Sequence, residues 1–197
     1  MNEAIRILRA EHHSLAAVLH GLRHLAHTAE NPRVRPQFDV FRAMIRYVDE
    51  FPERLHHPKE DRFLFARLAE RAPETIPLLD SLRAEHREGA RRIRELERTL
   101  DQFERSWPHW SGPFAAAVEE YAEFHRRHMQ REEREVLPAA ERALNAEDWQ
   151  AIEQAFAGNE DPIADLREQD LTKLFTRIVS IAPAPIGLGA RWNSPPA

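Results

Sequence analysis

The chain has 197 residues, a net charge of -5 and no cysteine, with 31% of its residues charged and 42% apolar. That length holds one sizeable core, and the composition is ordinary for a helix-rich soluble protein. The missing cysteines exclude disulfides, thiolate metal sites, iron–sulfur clusters and cysteine nucleophiles, and the acidic balance argues against a nucleic-acid binder.

The N-terminal Met1-Asn2-Glu3-Ala4-Ile5-Arg6 lacks the apolar stretch of a signal peptide, and no apolar run approaches a membrane span. The expected compartment is the cytoplasm, with no membrane contact. Arg91-Arg92 and Arg126-Arg127 sit among acidic neighbours at helical spacing, as solvated helix faces do.

A first helix is predicted over 2–29, closed by Asn31-Pro32. Its seam Ile5, Leu8, His12, Leu15, Leu19, Leu22, Ala26 alternates steps of three and four, the mark of a stripe facing a bundle core. A second helical region runs from Val34-Arg35-Pro36 to about Glu70, with Phe38, Phe41, Ile45, Val48 and Leu55 inward. Pro52 and Pro58 fall inside it and predict a kink or break close to His56. A third helix starts near Pro77 with the seam Leu79, Leu82, His86, Gly89, Ile93, Leu96, Leu100, Phe103. Gly89 costs roughly 1 kcal/mol there relative to alanine, so it serves either close helix packing or room beside a site.

Ser106-Trp107-Pro108 and Ser111-Gly112-Pro113 bound a turn. A fourth helix follows over 113–144, with Phe114, Val118, Tyr121, His125, His128 and Glu132 inward and Pro138 bending its last turns. Asn145 is a suitable N-cap for a short fifth helix ending at Gly158, and a sixth is predicted over 162–181 with Leu166, Leu171, Leu174, Phe175 and Ile178. No stretch alternates with period two. The expected fold is all-α: an up-down-up-down four-helix bundle over 1–144, a helical extension over 145–181 and an extended or disordered tail over 182–197.

The bundle repeats internally. Leu8-Arg9-Ala10-Glu11-His12 returns as Leu82-Arg83-Ala84-Glu85-His86, and each copy is followed, 44 and 42 residues beyond its histidine, by a His-x-x-x-Glu unit, His56/Glu60 and His128/Glu132. Residues four apart share one helix face, so each unit presents a nitrogen and an oxygen to one ion. A carboxylate can also bridge two ions. Four imidazoles and two carboxylates shared over two ions suit Fe(II), Mn(II) or Zn(II), whereas the absence of thiolate weakens copper(I) and structural zinc.

His57 competes with His56, since Asp61 stands four residues beyond it. The repeat favours His56, because His57 matches Met129 and His56 matches His128. Glu53 and His125 stand three residues before the chosen histidines, at coordinating or hydrogen-bonding reach; for His125 a hydrogen bond is favoured over a ligand role. Any one of these histidines alone would be read as an ordinary core residue; their repetition at matched spacing carries the metal reading. His13, His20, His24 and His27 flank the first seam as a surface or interface stripe.

From about Ile5 to Leu144 the chain resembles the hemerythrin-like (HHE cation-binding) domain family. The matching pieces are Glu11-His12, His56-His57-Pro58-Lys59-Glu60-Asp61, Glu85-His86 and His128-Met129-Gln130-Arg131-Glu132-Glu133, in that order. The resemblance implies a four-helix bundle around two iron ions, with or without a bridging oxygen. His12, His56, His86 and His128 would be terminal ligands, and Glu60 and Glu132 bridging carboxylates. It implies a small diatomic or peroxide ligand: a non-haem di-iron protein that binds or senses oxygen, peroxide or nitric oxide, or handles iron. Oxygen-carrying hemerythrins have a second histidine one turn after the third-helix ligand. That position is Ala90 here, which argues against reversible oxygen transport of their type.

Two other readings compete. A ferritin-like di-iron oxidase uses two Glu-x-x-His motifs with two further glutamates; only Glu53/His56 is evident, and its repeat partner is His125/His128. A metal-free helical interaction module would leave the inward histidines to hydrogen bonds. No output segment is visible, so a sensor requires a separate signalling partner, and homo-oligomerisation is left open.

Overall fold

The computed structural model describes residues 2–157, 168–189 and 192, the side chains of 157 and 168–172 excepted. All six helices among them follow the sequence periodicity. Helix α1, Glu3–Thr28, begins where the Asn2 side chain accepts from the Ala4 N–H at 2.9 Å. Every predicted seam residue of α1 is buried.

Helix α2 spans 38–71 without interruption. It comprises α-helical Phe38–Val48, π-wound Asp49–His56, α-helical His57–Lys59, π-wound Glu60–Phe65 and α-helical Ala66–Arg71. The prolines therefore widen this helix instead of breaking it. Pro52 lacks an N–H and its ring would clash with a carbonyl one α-turn back. A π turn relieves both, and the His57 N–H bonds to the Pro52 carbonyl five residues earlier. The extra residue also shifts the helix phase. His56 and His57, adjacent residues that diverge on a regular α-helix, are both buried, as is Glu60.

Pro73–Thr75 forms a short 3-10 turn before α3, Ile76–Ser106, whose eight predicted seam residues are its buried residues. Helix α4 spans 111–143 as α-helical Ser111–Arg131, π-wound Glu132–Val136 and α-helical Leu137–Ala143. Pro138 follows this π turn, as the prolines of α2 accompany theirs. Helix α1 packs on α2, α2 on α3, α3 on α4 and α4 on α1.

Helix α5, Ala146–Ala157, packs on α1 and on the second π turn of α2. Its start is held reciprocally: the Asp148 N–H donates to the Asn145 side chain at 2.9 Å, and the Asn145 N–H to the Asp148 carboxylate at 3.1 Å. Arg71 ties Asp148 to α2. Helix α6, Glu168–Ile181, lies on the first part of α2. The predicted start of this helix, with Leu166, falls outside the described residues, as does the Leu171 side chain.

The start of the expected tail is not extended. Residues 182–189 fold back so that the Leu188 N–H bonds to the Val179 carbonyl and the Gly189 N–H to the Ala182 carbonyl, both at 2.8 Å. Only glycine fits at 189, where a Cβ would lie 2.2 Å from the Ile181 carbonyl oxygen. Trp192 stacks edge-on against Phe41, ring centroids 5.5 Å apart. Apolar burial fixes this segment: hydrophobic contact needs only a few well-placed side chains, which periodicity does not register.

The core has two apolar layers. One gathers Leu15, Leu19, Phe41, Ile93, Phe103, Phe114 and their neighbours; the other gathers Ile5, Leu8, Leu64, Leu82 and Val136. His12, His56, Glu60, His86, His128 and Glu132 occupy the slab between them, each at most 6% exposed. No helix among the described residues is long and apolar enough to cross a membrane.

Candidate metal centre

Buried charge between two greasy layers demands compensation, and the four predicted histidines show how it is arranged. Each turns Nδ1 outward to a carboxylate. His12 donates to Glu133 at 3.1 Å, His56 to Glu11 at 2.7 Å, His86 to Asp61 at 3.0 Å and His128 to Glu85 at 2.9 Å. Fixing the proton on Nδ1 leaves the Nε2 lone pair aimed inward. The Nε2 atoms then meet in two pairs, His12 with His56 at 3.2 Å and His86 with His128 at 3.1 Å.

The two inner glutamates connect these pairs. Glu60 Oε1 lies 3.4 Å from His56 Nε2 while its Oε2 lies 3.6 Å from His86 Nε2. Glu132 Oε2 lies 3.3 Å from His12 Nε2, and its Oε1 lies 3.0 Å from His128 Nε2. Each carboxylate thus offers one oxygen to each pair. Glu60 Oε2 and both Glu132 oxygens are buried without a hydrogen-bond partner, an arrangement costly unless a cation supplies what hydrogen bonds do not.

Two groups of ligand atoms converge tightly enough to hold an ion: His12, His56 and Glu60; and His57, Glu60, His86 and His128. The residue set fits divalent metal. Two nitrogens bound about 2.1 Å from one ion at near-right angles lie roughly 3 Å apart, close to the spacing of both pairs.

Protonation follows the same logic. Burial opposes charge on His12, but Glu132 and Glu133 outweigh it and raise its pKa to about 9. Burial likewise opposes His128, and Glu132 and Glu85 carry it to about 10. Burial also opposes charge on His56, which Glu60 and Glu11 push well above the usual histidine value, and on His86, which Asp61 and Glu132 raise. Two facing Nε2 atoms have room for one proton between them, and a cation bound there would displace it.

His57 and His56 are not alternatives, because the π turn brings both into the slab. His57 joins the second group, its ring stacked on that of His86 with centroids 4.2 Å apart. Asp61, its i+4 partner by sequence, serves His86 instead. Burial holds His57 well below the usual histidine pKa and lowers His125 too, so both are neutral. His125, fully buried, belongs to neither group and lies 3.3 Å from Glu53. His13, His20, His24 and His27 are exposed along α1.

Gly89 leaves space for the side chain of Glu53 from α2, a residue in neither group of candidate ligands. A Cβ there would lie 2.6 Å from Oε1 of the buried Glu53 carboxylate. Gly89→Ala should therefore displace that carboxylate. Overpacking costs about 1–3 kcal/mol, against roughly 1 kcal/mol that alanine gains in a helix. A net loss of up to about 2 kcal/mol in denaturant unfolding is the expected result, and a more stable variant would refute it.

The outer carboxylates escaped the sequence reading as functional residues, though their signal was present. An acid precedes the first histidine of each half (Glu11-His12, Glu85-His86), and an acid follows each inner glutamate (Glu60-Asp61, Glu132-Glu133). Glu11 and Glu85 serve histidines of their own half; Asp61 and Glu133 reach across to the other.

A surface cavity of about 350 Å³ between α1 and α4 opens onto His12, with Arg9, His13, Arg126 and Gln130 at its mouth. The family model of the hemerythrin HHE cation binding domain matches residues 3–140. No curated protein sequence matches the chain.

Proposed function

The chain belongs to the hemerythrin HHE cation-binding domain family, and on that premise we propose that it is a non-haem di-iron protein that binds or senses oxygen, peroxide or nitric oxide. The observation that carries this reading is the double pairing of inward Nε2 atoms, each pair faced by one oxygen of Glu60 and one of Glu132.

In this reading His12, His56, His86 and His128 would be terminal ligands and Glu60 and Glu132 the shared carboxylates, His57 could add a further nitrogen, and the cavity lined by His12 would admit a small ligand. Iron at such a site would supply a redox-active, ligand-accepting centre. The protein's own contribution is to orient the imidazoles through the outer carboxylates and to exclude bulk water with the two apolar layers.

The same reading makes residues 1–144 an up-down-up-down four-helix metal unit, supported by the cyclic packing of α1 to α4, and 145–181 a helical extension. Its partner is a small ligand, not nucleic acid, and a sensor would act through a separate chain. A metal-free module is less compatible with unpartnered carboxylate oxygens at the centre.

The deciding experiment is metal analysis of freshly purified protein, with optical spectra before and after exposure to air. Stoichiometric iron with near-ultraviolet bands that change on exposure supports the reading. No metal, and none taken up from added Fe(II), refutes it.

A further inference from the structure

Outside the slab the histidines are not scattered. The chain has 11 of them, and His12, His56, His57, His86, His125 and His128 are buried. Of the other five, His13, His20, His24 and His27 are all exposed on α1, and His109 stands apart in the turn before α4. With 3.6 residues per turn, the four on α1 fall within about 60° of one another around the helix axis, facing away from the buried seam. Nothing in the fold asks for imidazole there, since lysine, glutamate or glutamine fills an exposed helix position and forms helix better.

Within the stripe His20 and His24 are a distinct pair. Four residues apart on one helix, their Cβ atoms are about 5–6 Å apart, the spacing at which two imidazoles reach one ion. Neither side chain makes a hydrogen bond or an ion pair among the described residues, whereas His27 is bonded to Glu30 at 2.9 Å. Helical side chains lean toward the N-terminus, and the residues one turn before His20 are the small, exposed Ala16 and Ala17, so its ring stays uncovered.

We propose that His20 and His24 chelate one divalent ion of the borderline class, Cu(II), Ni(II) or Zn(II), at the protein surface. This site is separate from the interior centre and does not depend on it. The donors select the class of ion. From His12 to Ala29 the chain carries no acidic residue. Glu119, the α4 carboxylate that reaches this part of α1, is held by Arg23 through two hydrogen bonds of 2.7 Å. Two nitrogens without an oxygen suit the metals that favour imidazole and match poorly to Mg(II) or Ca(II), which take oxygen ligands. Water completes the coordination, so the ion exchanges with solution, unlike one enclosed between four helices.

An ion fixed to a resin touches only the outside of the molecule and therefore reads this site without the interior one. The 197-residue chain, carrying no affinity tag, is passed over immobilised Ni(II) at about pH 8, where ordinary imidazole is unprotonated and free to coordinate. The expected result is retention of the wild type and of His109→Gln, with loss of retention in His20→Gln and in His24→Gln. Tethering a second contact to the first is worth about 100-fold in affinity at the low end, so each of these two variants should bind the resin about 100-fold more weakly. Both positions are exposed, and circular dichroism checks that each variant folds. Passage of the wild type without retention overturns the proposal. Retention undiminished in His20→Gln or in His24→Gln overturns it too, as does an equal loss in His109→Gln. None of these outcomes bears on the interior metal reading.

Discussion

Glu132→Ala should empty the metal centre while leaving the helices folded. Glu132 faces Nε2 of His12, His86 and His128 at 3.3, 3.6 and 3.0 Å, so it serves both histidine pairs at once. Burial opposes its charge, yet His128, His12 and His86 pull its pKa well below the usual carboxylate value. Removing it deletes one oxygen from each prospective ion and leaves the imidazoles facing one another uncompensated. An outer carboxylate such as Glu133 is worth roughly 10–100-fold in metal affinity, and a residue facing both pairs should be worth more. The comparison to make is metal content of wild type, Glu133→Ala and Glu132→Ala after the same iron loading. The expected order is a full complement, a partial one and little or none. Wild-type occupancy in Glu132→Ala would remove this residue from the ligand set.

The second large effect is on stability. All four long helices contribute side chains to the slab, so each ion bound there would tie three of them together. At a free metal concentration 1,000-fold above the dissociation constant, each site adds about 4 kcal/mol, and two sites about 8 kcal/mol. For a chain of this size each kcal/mol raises Tm by about 2–4 °C, so iron loading should raise it by roughly 15–30 °C.

The pH dependence has a defined sign. The folded apoprotein holds His12 and His128 at pKa values of about 9 and about 10, above the unfolded value of about 6.5. Their contribution to apoprotein stability is fully present below pH ~6.5 and is lost as pH rises through those folded values. Metal must displace the same protons, so its contribution grows with pH. The gap in Tm between loaded and apo protein should widen from pH 6 to pH 9. A gap that stays constant would show that metal does not compete with histidine protons.

Much of this was legible in the sequence. The helix seams, the Asn145 cap and the inward positions of His12, His56, Glu60, His86, His128 and Glu132 follow from a periodicity that repeats over many turns and admits no strand. The duplicated Leu-Arg-Ala-Glu-His and His-x-x-x-Glu segments expose the site because two helix pairs that present equivalent atoms to one centre need equivalent residues. Tertiary structure decided the rest. Whether Pro52 and Pro58 break a helix or widen it depends on what the neighbouring helices hold in place. Only the resulting phase shift puts His56 and His57 in the same slab. The pairing of outer acids with histidines crosses between halves of the chain, a contact between residues as far apart as Glu133 and His12 that no local pattern encodes. Gly89 shows the limit most clearly. Its cost in a helix marks the position, but its reason is the carboxylate of Glu53, brought from another helix into the space that a side chain at 89 would fill.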